Sequence, residues 1–156
     1  SEILERSVHW SNDVLRAYSR CFHDRVRMGY QRDVHGDLHS GNVFLYQRPV
    51  IFDCIEFNDS YRQIDIMDEV AFLCMDLEAR RKKRLSKAFI REYVRQYPLF
   101  DSTDDEMLFR YYKCYRANVR AKVHAIAAEQ TREPDERNNS LQEVKKYLLL
   151  IGRYIE

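Results

Sequence analysis

The chain has 156 residues and a formal net charge of +1, and 45% of its residues are hydrophobic while 33% are charged. This balance is typical of a folded globular protein, so the composition argues against a largely disordered chain. A net charge so close to zero provides no general attraction to nucleic acid or to an acidic membrane surface, and neither partner is expected.

The sequence has no features of a membrane or secreted protein. No stretch approaches the roughly 18 apolar residues of a membrane span, and the residues from Ser1 onward have neither the basic start nor the apolar run of a signal peptide. The cysteines, at positions 21, 54, 74 and 114, are too far apart for a C-x-x-C pair. They suit a reducing compartment. We therefore predict a cytoplasmic protein in which each cysteine is a small core residue.

The first part of the chain has an apolar pattern with spacings close to helical, from Leu4 to Val26. This pattern predicts one long amphipathic helix that ends near Gly29 and serves for packing. Only four glycines and three prolines interrupt the whole chain. A mostly helical protein is therefore expected.

The stretch from residue 35 to residue 42 reads His-Gly-Asp-Leu-His-Ser-Gly-Asn. Its H-x-D-x-x-x-x-N spacing matches the kinase catalytic loop, where the Asp accepts the proton of the attacking hydroxyl and the Asn binds metal. On this spacing Asp37 is the catalytic base, Asn42 is a metal ligand, and Asp53 is the second metal ligand. Two apolar runs, 43–46 and 50–52, predict a hairpin that brings Asn42 and Asp53 to the same end.

The same octet fits, at every fixed position, the H-G-D-x-H-x-x-N loop of the aminoglycoside phosphotransferase and choline kinase-like superfamily. The likeness extends by pattern over roughly residues 30–125, through segments such as 69–73 and 115–123. The chain resembles one uncharacterised bacterial branch of this protein kinase-like superfamily. In that branch the kinase-like region is often fused to a P-loop ATP-binding domain.

The resemblance implies an ATP-dependent phosphotransferase that acts on a hydroxyl of a small molecule, with Mg²⁺ and ATP as cofactors. It also implies that His35 anchors the backbone of the loop and that His39 lies near the metal site. Glu69 would hydrogen bond the loop from beneath, although the superfamily more commonly has Asp at that position.

Other interpretations of the loop remain open. Residues 36–39 also fit the G-D-x-H of two-metal phosphoesterases, but that chemistry requires further ligands, and only His124 remains among the histidines after His39. In the simplest alternative, Asp37 and His39 only hydrogen bond a tight turn. The competing class of function is a non-catalytic binding or scaffolding module that retains the loop.

The segment 64–77 is too apolar to be exposed throughout and predicts a central helix. Acids inside such a helix are costly unless they are paired, so Glu69 and Asp65 are expected to have partners. Glu56, which follows the hairpin, is expected either to contact metal or substrate, or to form an ion pair with one of three arginines, at positions 62, 116 and 120.

The remainder predicts helices joined by polar corners. The basic run 80–84 is interpreted as a solvated corner rather than a nucleic-acid or lipid site, and a helix from residue 85 stops before Pro98. Capping boxes at 103–106 and 140–143 predict the starts of two more helices, with a polar loop at 131–137 before the second.

One of these helices carries a basic stripe, since Lys113, Arg116 and Arg120 share one face. The stripe could bind the substrate or form structural ion pairs with acids near Asp53 and Glu56. The second interpretation is slightly favoured.

The expected fold is therefore mainly α with a small β-hairpin, in a single domain over residues 1–156. Within the resemblance, this is the helical C-terminal lobe of a kinase-like fold without its nucleotide-covering lobe. The expected partners are a nucleotide, a small hydroxylated substrate, and the missing lobe or a fused P-loop domain. The isolated chain is predicted to be inactive and, with an uncovered docking surface, to be prone to self-association.

Overall fold

The computed structural model describes residues 2–156, and within this range it has six α-helices and four short β-strands. The helices are α1 (Glu2–Ala17), α2 (Ser19–Arg27), α3 (Ile66–Ala79), α4 (Lys83–Gln96), α5 (Asp104–Gln130) and α6 (Pro134–Tyr154). The strands are β1 (Gln31–Asp33), β2 (Val43–Leu45), β3 (Pro49–Ile51) and β4 (Gln63–Asp65). Helix takes 69% of the chain and strand 8%, which confirms a mainly α protein with a small β component. None of the helices in residues 2–156 is both long enough and apolar enough to cross a membrane.

The strands form two separate antiparallel pairs. β2 pairs with β3, with Val43 opposite Ile51 and Leu45 opposite Pro49, so the predicted hairpin is confirmed. The turn of the hairpin lies one residue earlier than expected, because Pro49 already belongs to β3. Proline has no N–H to donate, but the first position of an edge strand tolerates this. β1 pairs with β4, and this second pair was not predicted because neither three-residue strand shows a usable alternation.

The N-terminal segment differs from the prediction of one long helix. It forms α1 and α2, which are separated at Tyr18. The apolar positions Leu4, Val8 and Val26 are exposed, at 38%, 59% and 55%. α2 also buries Arg25, whose charge is paired inside the fold, while Tyr18 and Phe22 of the predicted stripe pack against a core cluster.

α3 is the central helix, and most of its side chains are buried. One core cluster joins it to α5 and α6, and a second joins it to Leu99, Leu108 and partly buried residues of α2 and α4. The helix begins two residues later than predicted, because Asp65 ends β4 and caps α3 by accepting a hydrogen bond from Met67 N at 2.8 Å.

The corners between the later helices agree with the prediction only in part. The basic corner 80–84 is exposed and α4 ends before Pro98, as expected. Thr103 makes no capping hydrogen bond. Instead, the carboxylate of Asp105 accepts from Ser102 N at 2.9 Å. The polar loop before the last helix is shorter than predicted, because α6 starts at Pro134, a residue suited to a first helical turn.

The cysteines are free, and two of them, Cys74 and Cys114, are buried as predicted. The prediction that all four belong to the core is wrong for Cys21 and Cys54, which are only half-buried. Both lie beside cavities at the surface.

Candidate active site

The loop from residue 35 to residue 42 runs from β1 to the hairpin and turns sharply at Gly36. The φ angle of Gly36 is +81°, and a Cβ atom at this position would lie 2.8 Å from Tyr61 O. Left-handed backbone and a backbone contact this close both require glycine. Gly36 therefore sets the direction from which Asp37 enters the site.

His35 connects the loop to the end of the hairpin. Its Nδ1 accepts a hydrogen bond from Asp37 N at 3.3 Å, and its Nε2 lies 2.9 Å from Phe52 O. Since Nδ1 accepts, the proton resides on Nε2 and is donated to Phe52 O. The imidazole thus links the backbone of the candidate base to the residue before Asp53.

His39 orients the carboxylate of Asp37. Gly41 N donates to its Nδ1 at 3.1 Å, so the proton again lies on Nε2, which is 3.4 Å from Asp37 Oδ2. The hydrogen bond from His39 lowers the pKa of Asp37 below its ordinary value, although partial burial acts in the opposite direction. Asp37 is therefore ionised at neutral pH, which is the form that accepts a proton.

Asn42 is buried behind Asp37. Its Nδ2 donates to Asp37 O at 3.1 Å and approaches Asp37 Oδ2 at 3.4 Å. Among residues 2–156 no hydrogen bond reaches Asn42 Oδ1. The amide is fixed by its nitrogen, and its oxygen is left as a possible ligand.

Asp53 follows the hairpin at the end where Asn42 enters it. Phe52 N donates to Asn42 O at 3.2 Å, so the two residues lie at the same end, as predicted. Asp53 has a φ of +66°, a left-handed conformation that Asp tolerates better than most residues. Its side chain is exposed and lines, with Asp37 and Glu56, a cavity of about 620 Å³.

The oxygen donors at this place suit Mg²⁺. Carboxylate and amide oxygens are the ligands that this ion prefers, and it usually keeps waters and substrate phosphates in its remaining positions. Asn42 and Asp53 supply one amide and one carboxylate. In residues 2–156 no cluster of three or more His, Cys, Asp or Glu side chains is arranged to hold a metal. Two protein ligands would leave most coordination positions of such an ion to water or to other oxygen ligands.

Glu69, near the start of α3, supports the first half of the loop from beneath. Its Oε1 accepts from His35 N at 3.1 Å and its Oε2 from Gly36 N at 3.2 Å. This confirms the contact that was predicted for Glu69, and the longer side chain reaches the loop. Burial raises the pKa of Glu69.

Asp76, seven residues further along α3, supports the second half of the loop and was missed from the sequence. The residue is fully buried, and its Oδ2 accepts from Ser40 N at 3.0 Å and from the Ser40 hydroxyl. Arg80 Nε donates to the same oxygen at 3.1 Å. Burial raises the pKa of Asp76, but these hydrogen bonds outweigh it and lower the pKa overall.

The basic stripe of α5 forms structural ion pairs, as the favoured interpretation expected, but with other partners. Arg116 binds the carboxylate of Asp68 through two bonds of 2.7 and 2.9 Å, and its Nη1 donates to Gly36 O at 3.1 Å. Lys113 pairs with Glu78 at 3.1 Å. The expected pairing with acids near Asp53 is wrong, because acids of α3 lie closer to α5.

The remaining two candidate residues have no ion-pair partner. No carboxylate of residues 2–156 lies within 4 Å of Arg120, whose Nη2 is 3.4 Å from His124 Nε2. Glu56 is exposed at the cavity, and no Lys or Arg of residues 2–156 pairs with it. Of the two alternatives for Glu56, the ion pair is therefore wrong, since Arg62 binds Asp33 instead, at 3.0 Å.

Comparison with known proteins finds relatives whose function is not characterised. The chain is 34% identical over 131 residues to an uncharacterized protein of Mycobacterium bovis, and equally to uncharacterized proteins of two Mycobacterium tuberculosis strains, CDC 1551 and H37Rv. The match covers 83% of this chain but only 26% of each relative, so the chain spans about a quarter of their length. No protein-family model matches the chain. No solved structure matches it either.

Proposed function

We propose that the chain is the helical C-terminal lobe of an ATP-dependent phosphotransferase that acts on a hydroxyl of a small molecule, similar to the aminoglycoside phosphotransferases. The observation that carries the proposal is the arrangement at the loop. Asp37 is ionised, is hydrogen bonded to Asn42, and shares a cavity with Asp53. A base and two oxygen ligands at one place are the groups that phosphoryl transfer requires of a protein.

In this proposal Asp37 orients the acceptor hydroxyl and takes its proton as the new bond to phosphorus forms. His39 and Asn42 both contact Oδ2 of this carboxylate, at 3.4 Å, which would orient it before the substrate arrives. Asn42 and Asp53 would hold Mg²⁺. When bound with ATP, the ion would neutralise charge on the phosphates.

The support beneath the loop agrees with a catalytic role. Two buried acids of α3, Glu69 and Asp76, bind the backbone of the loop near its two ends, and Arg116 binds Gly36 O from α5. A site that has to position a base within a fraction of an ångström needs this kind of second layer.

Residues 2–156 alone would leave a bound nucleotide largely exposed to solvent. In kinases a separate lobe, with a lysine and a glutamate, orients the phosphates. The mycobacterial relatives are about four times as long as the matched segment, which leaves room for such a lobe or for a fused P-loop ATP-binding domain. We propose that this part of the longer protein completes the nucleotide site.

The test is phosphate transfer from ATP to a panel of hydroxylated metabolites by the longest natural form of the protein. Asp37→Asn should reduce transfer by about 10²–10⁴-fold, the usual contribution of a general base. Asp13→Asn is the matched control, because Asp13 is 77% exposed on α1 and should leave transfer unchanged. Transfer that survives Asp37→Asn, or no transfer to any acceptor, favours the scaffolding alternative.

A further inference from the structure

A second cavity, of about 590 Å³, lies at the corner between α3 and α4 and is also lined by α5 and α6. Its volume is within the usual range for small-molecule sites. It has no lining residue in common with the cavity at Asp37 and Asp53. Any ligand of this cavity would therefore bind outside the candidate active site.

The lining of this corner cavity is strongly basic. Five cationic side chains come from four different parts of the chain: Arg81, Lys83, Lys87, Lys113 and Arg153. The apolar part of the lining consists of Ile90, Phe109 and Leu150. Cations on several sides of one small space are costly to bring together unless an anion joins them.

Glu78, the acid that lines this cavity, is already engaged. Its carboxylate accepts from Lys113 at 3.1 Å, from the Ser86 hydroxyl at 3.2 Å and from the Tyr154 hydroxyl at 2.6 Å. Lys113 and Glu78 thus neutralise each other. The other four basic side chains have no carboxylate within 4 Å among residues 2–156.

Arg81 has a strained backbone at the edge of this cavity. α3 ends in a pair of bonds, Arg81 N to Glu78 O at 3.0 Å and Lys82 N to Leu77 O at 2.8 Å, which places Arg81 at the position usually taken by glycine. Its φ is +61°. A residue with a Cβ atom is strained in this conformation, so Arg81 makes the fold less stable than glycine would at this position.

We propose that the corner cavity binds a small molecule that carries two or more phosphate groups. Phosphate oxygens accept strong, charge-assisted hydrogen bonds from guanidinium and ammonium groups, and several such groups face this space. The space between residues of four helices suits a compact oligophosphate better than a nucleic-acid duplex or a membrane surface. The apolar lining offers a place for an organic part of the ligand.

Calorimetric titration of the 156-residue chain with tripolyphosphate tests whether the corner cavity binds phosphate groups. A chelator and the absence of Mg²⁺ prevent metal-dependent binding at Asp37 and Asp53. Saturable binding of one equivalent is expected, and Lys83→Gln with Lys87→Gln should weaken it by at least about tenfold. The matched control is Lys82→Gln with Arg84→Gln, which removes two charges from the same corner but outside the cavity. It should change the affinity less than twofold.

A second variant separates binding from folding. Arg81→Gly removes one cation and the backbone strain together, so we expect a higher melting temperature and weaker tripolyphosphate binding in the same protein. If both double variants weaken tripolyphosphate binding equally, the binding is diffuse electrostatic attraction and the proposal is wrong. Sulfate that binds as well as tripolyphosphate at equal ionic strength would also overturn it, as would binding only to an oligonucleotide or to anionic lipid vesicles.

Discussion

Asp76 has no exposed surface, yet its carboxylate is charged and makes polar contacts with three elements. Ser40 in the loop, Arg80 at the end of α3 and Tyr147 in α6 all donate to it. A buried carboxylate is tolerated when hydrogen bonds of this kind replace its water. The residue therefore joins the candidate catalytic loop to the helical core.

Asp76 should make the free energy of unfolding depend on pH. Its pKa is lowered in the folded chain from the ordinary 3.8, so as the pH falls through about 4 the unfolded chain takes up the proton first. The stabilisation is present above that pH and is lost below it. Asp76→Asn should reduce the free energy of unfolding at pH 7, and the difference from the wild-type chain should shrink toward pH 3. Urea titrations at both pH values measure this, and a difference that stays constant would contradict it.

At this scale the residues of the candidate site were easier to single out than the residues that support them. Asp37 and Asn42 were singled out because their spacing follows one short motif, and Asp53 because it follows the predicted hairpin. Asp76 was missed because a single Asp in an apolar helix gives no sign of its partner, which lies 36 positions away at Ser40. Its distance of seven residues from Glu69, which places both on one face of α3, is the signal that the sequence does contain.

α3 is the element on which the loop depends. Its two loop-facing acids, Glu69 and Asp76, hold the loop near both ends, and a third acid, Asp68, binds Arg116. Because most residues of the helix are buried and it belongs to both core clusters, the loop is attached to the core of the described chain.

Replacing Glu69 by Leu tests this attachment. The change leaves His35 N and Gly36 N without their acceptor, which should cost about 1–3 kcal/mol for buried donors. Thermal melts should show the loss. Amide hydrogen exchange should show faster exchange at residues 35 and 36 than in the wild-type chain. Glu69→Gln keeps an acceptor for these donors and should lose less stability. An unchanged melting temperature for Glu69→Leu would rule out the role of Glu69 in supporting the loop.

The elements themselves were predictable where they were long or had clear turn residues. The hairpin, α4 and the central helix were expected within one or two residues, but β1 and β4 were not, because a three-residue strand is fixed by its partner rather than by its own pattern. The N-terminal helix was predicted from apolar spacing, which gave no sign that Arg25 would be buried against Asp65 and Asp105.

At the scale of the whole molecule, several apolar side chains around the site are exposed to solvent. Leu45, Tyr46 and Phe57 are 82%, 75% and 82% exposed, and all lie in or just after the hairpin that leads to Asp53. The nucleotide would occupy the same region in the proposed function. In the proposed function residues 2–156 would provide the base and the metal ligands, while cover for the nucleotide would come from the rest of the longer protein.

We therefore predict that the 156-residue chain alone does not turn over ATP at a useful rate. Orientation of the nucleotide and exclusion of water contribute much of the catalysis in phosphoryl transfer, and the proposal assigns both to the longer protein. Turnover by the purified chain should remain at the level of its Asp37→Asn variant. Robust turnover that this substitution abolishes would show that the chain is a complete enzyme.

The central claim, a phosphotransferase site at the loop, is tested most directly by Mg²⁺ titration of phosphate transfer in the longest natural form carrying Asp53→Asn. Asn also tolerates the left-handed backbone at residue 53, so the substitution changes the ligand and leaves the fold intact. We predict that transfer requires more Mg²⁺ and falls by about 10–100-fold or more at saturation. Asp59→Asn, at a residue 75% exposed, should follow the wild-type curve. A wild-type Mg²⁺ curve for Asp53→Asn would contradict the proposed function.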